Sequence, residues 1–282
     1  MGHLPPSRNL ATADLYLEML AFEIQARFDR LLESGELPLP VLPEVAAQVL
    51  AMVQRPDCDT ARLAELLRRD PAMTAHVMQV AASPMYIGAT KISSLQQAIG
   101  RLGFSTITQI VLAVASKTRV FAVPGFETEL ALAFRHALAT ALFAQEIART
   151  RRSTVDVAFL AGLFHDFGQP VLLQVLVDLH RELGVTPDPA DIMPAVDAAH
   201  AGVGAKLVQK WAMSEKVAEA VARHHAPDGC ELAVLVALAD DFAHGGTAGA
   251  QQLAAQLNIY PEDVEAIGKR ADDIAMTVKA VA

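Results

Sequence analysis

Helical spacing of apolar residues, interrupted repeatedly by proline and glycine, is the feature that most constrains this chain. Apolar side chains recur three or four positions apart in residues 11–34, and later segments begin or end at pairs such as Asp70-Pro71 and Ser83-Pro84. No segment shows the alternating β-branched pattern of a strand. Aromatic residues make up only 5% of the chain, so Ala, Leu and Val must fill most of the core. We therefore predict an all-α protein.

Proline and glycine residues divide the chain into a series of helices with two longer breaks. The breaks have the sequences SGELPLPVLPE, around residues 37–43, and VFAVPGFET, over residues 120–128. Gly103 ends one helix. The predicted helices cover residues 11–34, 43–54, 60–69, 70–82, 93–102, 105–119, 128–150, 155–165, 170–183, 190–210, 214–224, 231–243, 248–257 and 261–279. The expected N-terminal caps are Thr60, Asp70, Ser93 or Ser94, Asp191 and Ser214.

These breaks predict four units in a chain of 282 residues. That length is sufficient for two packed helical bundles with a sizeable core. We predict an N-terminal helix in residues 1–36, a first bundle in 37–122, a second bundle in 123–247, and C-terminal helices in 248–282 that pack on the bundle.

One segment has the appearance of a DNA-binding helix–turn–helix. Its sequence is ISSLQQAIGRLGFSTITQIVLAVA, in which a glycine separates two helices. The second helix is almost entirely apolar and has no basic stripe, so a tight corner between two helices of a bundle is the favoured interpretation. The net charge of −9 also argues against nonspecific binding of nucleic acid.

Cysteine usage and the N-terminus favour a cytoplasmic location. Cys58 and Cys230 lie far apart and in no metal-binding motif, which suits a reducing compartment. The N-terminal sequence MGHLPPSRNL lacks the apolar core of a signal peptide. Uninterrupted apolar runs such as residues 110–115 are too short to cross a bilayer, so no membrane partner is expected.

The dipeptide His165-Asp166 stands in the apolar stretch AFLAGLFHDFGQPVLLQVL. A carboxylate that is buried beside an imidazole is costly to desolvate unless hydrogen bonds or a cation compensate for its charge. The composition of this stretch therefore points to a hydrogen-bonded core pair or to a metal site.

Further histidines and aspartates follow in an order that suits a metal site. The candidate ligands are His136, His165, Asp166, His200, His224, His225 and Asp240, with Asp241 as the alternative to Asp240. Mixed imidazole and carboxylate shells suit Zn²⁺, Mn²⁺ and Fe²⁺. Adjacent helical residues point about 100° apart, so His224 and His225 are expected to face two ions, or one ion and a phosphate. His76, His180 and His244 stand singly and are expected to be structural or exposed.

The order His, His-Asp, His, His-His, Asp resembles the HD superfamily of metal-dependent phosphohydrolases. The segments LPVLPEVAAQVLAMV, LAELLRRDPAMTAHVMQVAASPMY and KISSLQQAIGRLGFSTITQIVLA resemble the N-terminal half of the HDOD family, and FRHALATALFAQEIA with AFLAGLFHDFGQPVL resembles its HD-derived half. The resemblance covers roughly residues 37–245. It implies an all-helical module of bacterial signalling proteins, used for output or scaffolding and without established catalysis.

The resemblance also implies roles for the candidate ligands. A first metal would be held by His136, His165, Asp166 and Asp240, and a second by His200, His224 and His225. Active relatives have the motif His-Asp-x-Gly-Lys, but this chain has Gln169 where the lysine that contacts phosphate is expected. The Gly-Tyr-Pro signature of the HD-GYP phosphodiesterases is absent near Ala190.

Two functions follow as expectations. The first is a signalling module that acts through protein partners, with an HD-type pocket that binds Fe, Mn or Zn and that could also take a nucleotide or phosphate. The alternative is a metal-dependent phosphohydrolase that acts on a nucleotide or cyclic dinucleotide. The helices after Ile259 are expected to pack on the bundle, with homodimer formation as the other reading of this segment.

Overall fold

The computed structural model describes residues 26–31, 33–34, 44–53, 55–86, 88, 92–119, 123–183, 189–211, 213–246 and 249–281. Over these residues the fold is all-α, as predicted. Residues 26–31 are helical. The helices that follow are α1 (Glu44–Val53), α2 (Thr60–Leu67), α3 (Pro71–Ala81), α4 (Leu95–Arg119), α5 (Glu127–Thr150), α6 (Val155–Phe164), α7 (Gly168–Leu183), α8 (Pro189–Lys210), α9 (Glu215–Arg223), α10 (Glu231–Ala243), α11 (Gly249–Gln256), α12 (Pro261–Gly268) and α13 (Ala271–Val281).

Parts of the sequence predictions lie outside the described residues. They are the start of the first predicted helix (residues 11–25), the break at residues 37–43, residues 120–122 of the second break, and the side chain of His180.

Aspartates cap two consecutive helices of the first half. The Asp70 carboxylate accepts a hydrogen bond from the Met73 amide at 2.9 Å and so caps α3, as predicted. The predicted cap Thr60 is wrong, because the preceding Asp59 accepts from the Arg62 amide at 2.8 Å and Thr60 is already helical. An aspartate and a threonine stand side by side here, and the sequence pattern did not distinguish them.

Of the remaining predicted N-terminal caps, some are confirmed and one is wrong. Ser94 is confirmed as the residue that starts α4, because its hydroxyl accepts from the Gln97 amide at 3.2 Å. Ser214 precedes α9 as predicted, although its side chain makes no cap hydrogen bond. Asp191 is wrong as a cap because α8 already begins at Pro189, a residue suited to the first helical turn.

Two glycines mark where helices change direction or end. Gly103 has φ 78° and ψ 163°, so it breaks α4 into the two segments that the sequence predicted. The single helix predicted over residues 261–279 is wrong, since α12 ends at Gly268 and α13 begins at Ala271. Gly268 is a weak helix former at this end, and the apolar spacing continues across the break and concealed it.

The helices pack as two neighbouring groups. In the first group α4 contacts α1, α2 and α3, and in the second α5 packs on α6 and α10 while α8 packs on α7 and α9. Direct contact between the groups runs from α4 to α6. The C-terminal α13 contacts α3, α4 and α5, so it packs on helices of both groups. The predicted domain boundaries themselves stay predictions.

The N-terminal helical segment is attached to the second group. Phe28 is completely buried. The Asp29 carboxylate accepts from the Lys206 ammonium on α8, with N–O distances of 2.6 and 2.7 Å. This segment therefore contacts a helix far away in the sequence, next to the elements that carry the candidate ligands.

Two apolar stretches are long enough, by length and composition alone, to cross a membrane, which the sequence analysis did not anticipate. They are residues 95–117 and 155–178, and 67% and 78% of their apolar windows are buried within the protein. The second contains the break between α6 and α7. In the suspected helix–turn–helix, Ile107 and Val111 of the second segment are completely buried, as a bundle corner requires.

Candidate metal centre

All seven predicted ligands converge on one region of the second group of helices, which we call the candidate metal centre. Helix α5 supplies His136, the turn between α6 and α7 supplies His165 and Asp166, α8 supplies His200, the end of α9 supplies His224 and His225, and α10 supplies Asp240. The ligand atoms form two clusters, and within each cluster they lie within 4.8 Å of one another. The first cluster is His136, His165 and Asp240, and the second is Asp166, His200, His224 and His225.

Asp166 joins the two clusters. Its Oδ1 lies 3.1 Å from His200 Nε2 and 3.4 Å from His224 Nε2. Its Oδ2 lies 3.2 Å from His165 Nε2 and 3.9 Å from His136 Nε2. The resemblance placed Asp166 on the first metal, and in the structure its two oxygens face different clusters. The assignment of Asp166 to an ion stays a prediction.

His224 and His225 also differ from the expectation. Their rings lie 4.0 Å apart between centroids, and both belong to the second cluster. The predicted divergence of about 100° assumed that both residues are helical. Helix α9 ends at Arg223, so the pair lies in the following turn and the two rings can face the same point.

Asp240 is the aspartate of α10 that enters the first cluster, and Asp241 is not part of either cluster. Asp240 Oδ1 lies 2.8 Å from His136 Nε2 and 3.8 Å from His165 Nε2. This oxygen is buried among imidazole nitrogens, with His136 Nε2 as its nearest partner. A buried carboxylate oxygen that faces several imidazole nitrogens is a natural position for a cation.

The three most buried histidines share a backbone contact that determines which ring nitrogen carries the proton when the imidazole is neutral. In each, Nδ1 lies 2.7 Å from the carbonyl oxygen of the residue three positions earlier. The pairs are His165 with Gly162, His200 with Asp197, and His224 with Val221. A carbonyl oxygen only accepts, so Nδ1 must donate, and in the neutral ring Nε2 then carries a lone pair. This hydrogen bond orients metal-binding histidines in many proteins.

The Nε2 atoms face one another at short distances. His200 Nε2 lies 3.3 Å from His224 Nε2 and 3.1 Å from His225 Nε2, and His136 Nε2 lies 3.3 Å from His165 Nε2. Two facing lone pairs repel unless a proton or a cation lies between them. Ligands about 2.1 Å from one ion are separated by about 3.0–3.4 Å, so the residues present fit a transition metal.

The charges in the centre shift the pKa of the central dipeptide in opposite directions. Burial alone would lower the pKa of His165, but the charge of Asp166 and its hydrogen bond outweigh burial and raise that pKa to about 9. Burial alone would raise the pKa of Asp166, but His165 and the hydrogen bonds from His200 and His224 hold it well below its usual range. Without a cation, protons on the imidazoles would therefore compensate for the charge of Asp166.

The outer ligands are shifted as well. Burial opposes ionisation of Asp240, but the hydrogen bond from His136 and the charge of His165 prevail and lower its pKa. Burial, together with His224 and His200, lowers the pKa of His225. Both shifts favour the forms that bind a metal, a carboxylate and a neutral imidazole.

Glycine is required where two of the contributing helices cross. A Cβ on Gly168, at the start of α7, would lie 2.0 Å from the carbonyl oxygen of His200 on α8. On the facing helix, a Cβ on Gly204 would lie 3.3 Å from the Gly168 nitrogen. Gly162 on α6 is similarly close to Ala141 on α5, at 2.8 Å from its Cα. The glycine of the His-Asp-x-Gly motif thus lets the backbone of His200 approach Asp166.

Sequence reasoning missed one neighbour of the centre. His244, predicted to stand alone, has its Nδ1 3.2 Å from Asp240 Oδ1 and its ring centroid 4.4 Å from that of His136. Its side chain is 63% exposed, so it lies at the solvent side of the first cluster. The signal was present in the sequence, because residues four apart lie on the same face of a helix.

The fold and the site define an all-helical protein of the HD type with clustered histidines and aspartates. Residues 39–227 match the HDOD domain family, and the chain belongs to that family. A protein of Shewanella amazonensis SB2B, proposed to be a metal-dependent phosphohydrolase, has a similar structure. The two are 22% identical, with 92% of this chain and 99% of that chain covered and a TM-score of 0.74.

One further structure has a similar fold, and one further sequence match limits what can be transferred. A structure from Marinobacter aquaeolei VT8, proposed to be a signal transduction protein, is 23% identical, with 87% of this chain and 60% of that chain covered and a TM-score of 0.60. An uncharacterized protein of Treponema pallidum (strain Nichols) is 21% identical over 196 residues. The match covers 66% of this chain and 37% of the Treponema protein, so the chain spans little more than a third of that relative.

Proposed function

We propose that this protein is an HDOD signalling module that acts through protein partners and binds two transition-metal ions in its HD half. The supporting observation is the convergence of histidine Nε2 atoms at 3.1–3.3 Å from one another. Asp166 would bridge the ions, the first cluster would hold one, and the three histidines of the second cluster would hold the other. Imidazole-rich donor sets suit Fe, Mn or Zn.

Metal analysis of the purified protein tests this proposal. We expect up to two ions per chain by elemental analysis. We also expect a higher melting temperature on addition of Mn²⁺, Fe²⁺ or Zn²⁺, because a ligand that binds only the folded state stabilises it. Asp166→Ala should abolish both effects. Absence of metal after purification, with no binding on addition, would refute the proposal.

A second candidate function is metal-dependent hydrolysis of a phosphate ester in a nucleotide or cyclic dinucleotide. The supporting observation is that solvent partly reaches the first cluster, since the side chains of His136 and Asp240 are 19% and 26% exposed. A bound metal would supply an activated water and charge neutralisation at the phosphate. Gln169, however, offers a neutral amide where active relatives have a lysine.

Gln169→Lys separates the two functions. If the scaffold retains hydrolytic geometry, wild type should be inactive or slow in a phosphodiesterase screen with Mn²⁺ or Fe²⁺. Gln169→Lys should then raise turnover by about tenfold or more, since electrostatic contacts to a transition state contribute on that order. Turnover by the wild type that Asp166→Ala abolishes would establish the enzyme and displace the non-catalytic proposal.

A further inference from the structure

A chain of polar side chains, buried at its two glutamines and exposed at its Asp156 and Ser105 end, runs between the two groups of helices, and we call it the polar seam. It consists of Tyr86, Gln145, Gln109, Asp156 and Ser105. Gln145 Nε2 donates to Gln109 Oε1 at 3.0 Å, and Gln109 Nε2 donates to Asp156 Oδ1 at 3.1 Å. The Tyr86 hydroxyl lies 3.5 Å from Gln145 Oε1, and the Ser105 hydroxyl donates to Asp156.

The seam lies where the two groups meet. Gln109 belongs to α4 of the first group, while Gln145 and Asp156 belong to α5 and α6 of the second. Gln109 and Gln145 are 4% and 1% exposed, respectively. If the two side chains separated, water could not replace the hydrogen bonds that their amides make with each other. Burial also raises the pKa of Tyr86, which keeps its hydroxyl a donor at neutral pH.

Packing beside the seam is incomplete. A cavity of about 20 Å³, close to the size that holds one water, is bordered by Tyr86, Gln109, Leu138, Phe159 and Thr277. These residues come from both groups and from α13. Atoms that line a void lose dispersion contacts, so the directional hydrogen bonds of the seam contribute to the relative positioning of the helices at this point.

The helices of the seam also carry ligands of the first cluster. His136 lies on α5 with Gln145. Asp156 lies in the first turn of α6, which ends at Phe164, directly before His165. A helix is a stiff connector of about 1.5 Å per residue, so a shift of α4 at one end of α6 is carried to the other end.

We propose that the polar seam couples the first group of helices to the candidate metal centre by holding α4, α5 and α6 in one fixed arrangement. A slip of these helices would leave buried amides unpaired, which favours a single arrangement. The coupling rests on the proposed function. A partner that binds the first group would thus change metal affinity, and the metal would change affinity for that partner by the same factor.

The test replaces both glutamines by an apolar residue of similar size. In Gln109→Leu/Gln145→Leu no amide remains buried without its partner, so the protein should fold. Asp156→Ala, at an exposed position, is a second and milder variant. Gln96→Leu, on the exposed face of α4, is the matched control. The dissociation constant for Mn²⁺ and the thermal unfolding profile are measured for all four proteins.

We expect the double variant and Asp156→Ala to bind Mn²⁺ about fivefold or more weakly than wild type and Gln96→Leu. We also expect the double variant to unfold in two steps where wild type unfolds in one. Mn²⁺ affinity within about twofold of wild type in both folded variants would overturn the coupling. If wild type binds no Mn²⁺, the proposed function fails. The unfolding profile of the double variant then tests whether the seam joins the two groups of helices: two steps support this role and one step overturns it.

Discussion

The two clusters of the candidate metal centre differ in their donors. The second cluster offers three imidazoles, of which His200 and His224 are buried and His225 is exposed, whereas the first offers two imidazoles and Asp240, none of them exposed. Asp166 faces both clusters. A nitrogen-rich site should hold a borderline metal firmly, while a site in which a carboxylate replaces one imidazole should hold it less firmly and exchange it more readily. One carboxylate therefore links two sites whose expected metal affinities differ.

The largest effect is expected from Gly168→Ala. The new methyl group would collide with the carbonyl oxygen of His200, so α7 and α8 must separate. We expect a loss of about 1–3 kcal/mol in the free energy of unfolding, together with loss of the second-cluster ion. Gly100→Ala is the control, because a Cβ there meets nothing within 4 Å and should stabilise α4 by about 0.5–1 kcal/mol. Equal stability of the two variants in urea would contradict the close crossing.

Removal of one histidine from each cluster should distinguish the two sites. His200→Ala should reduce the metal content from two ions to one. The affinity of the second cluster for its ion should fall by about 100-fold or more, because removal of a ligand costs more than removal of a residue that only supports a ligand. His136→Ala should remove the exchangeable ion and leave the other in place. Calorimetric titration with Zn²⁺ checks both variants. If either change removes both ions, the clusters do not bind independently.

Asp240→Asn is expected to act on the first cluster alone. The amide keeps the size of the side chain but lacks the charge that the ion needs, so affinity at this site should fall by about tenfold or more. Asp241→Asn, the adjacent residue outside both clusters, should leave Mn²⁺ binding unchanged. An equal effect of the two substitutions would mean that the assignment of Asp240 is wrong by one position.

His244→Ala should have the smallest effect. Its exposed ring should contribute less than about 0.5 kcal/mol to stability, as surface residues usually do. The Mn²⁺ affinity of the first cluster should fall by only a few fold, because the orientation of Asp240 is loosened. Calorimetry on both clusters checks this. A loss as large as that from His136→Ala would make His244 a ligand.

Much of the helical fold could be predicted because local chemistry determines it. Asp70 before Pro71 starts a helix in almost any context, and Gly103 breaks one where φ is positive. The boundary between α12 and α13 could not be seen, since apolar spacing continues across it. Cap assignment failed at Thr60, where two residues with cap preference are neighbours.

The convergence of the candidate ligands agrees with what the sequence indicated, but their division into two clusters was not predicted. Residue identity and order pointed to His136, His165 and Asp240, which the structure brings together. The bridging position of Asp166 depends on the turn between α6 and α7 and on the close approach of α8, both tertiary features. The convergence of His224 and His225 depends on where α9 ends, which local pattern locates only to within a residue or two.

The ligands are scattered along the chain from residue 136 to residue 240, on elements that are distant in sequence. Any ion that they hold fastens these elements together as a cross-link does, closing long loops that an unfolded chain must otherwise leave open. Cys58 and Cys230 are both free, so no disulfide between them does this. Chelation should therefore make the folded chain more vulnerable to proteases, and its lifetime would follow the supply of metal.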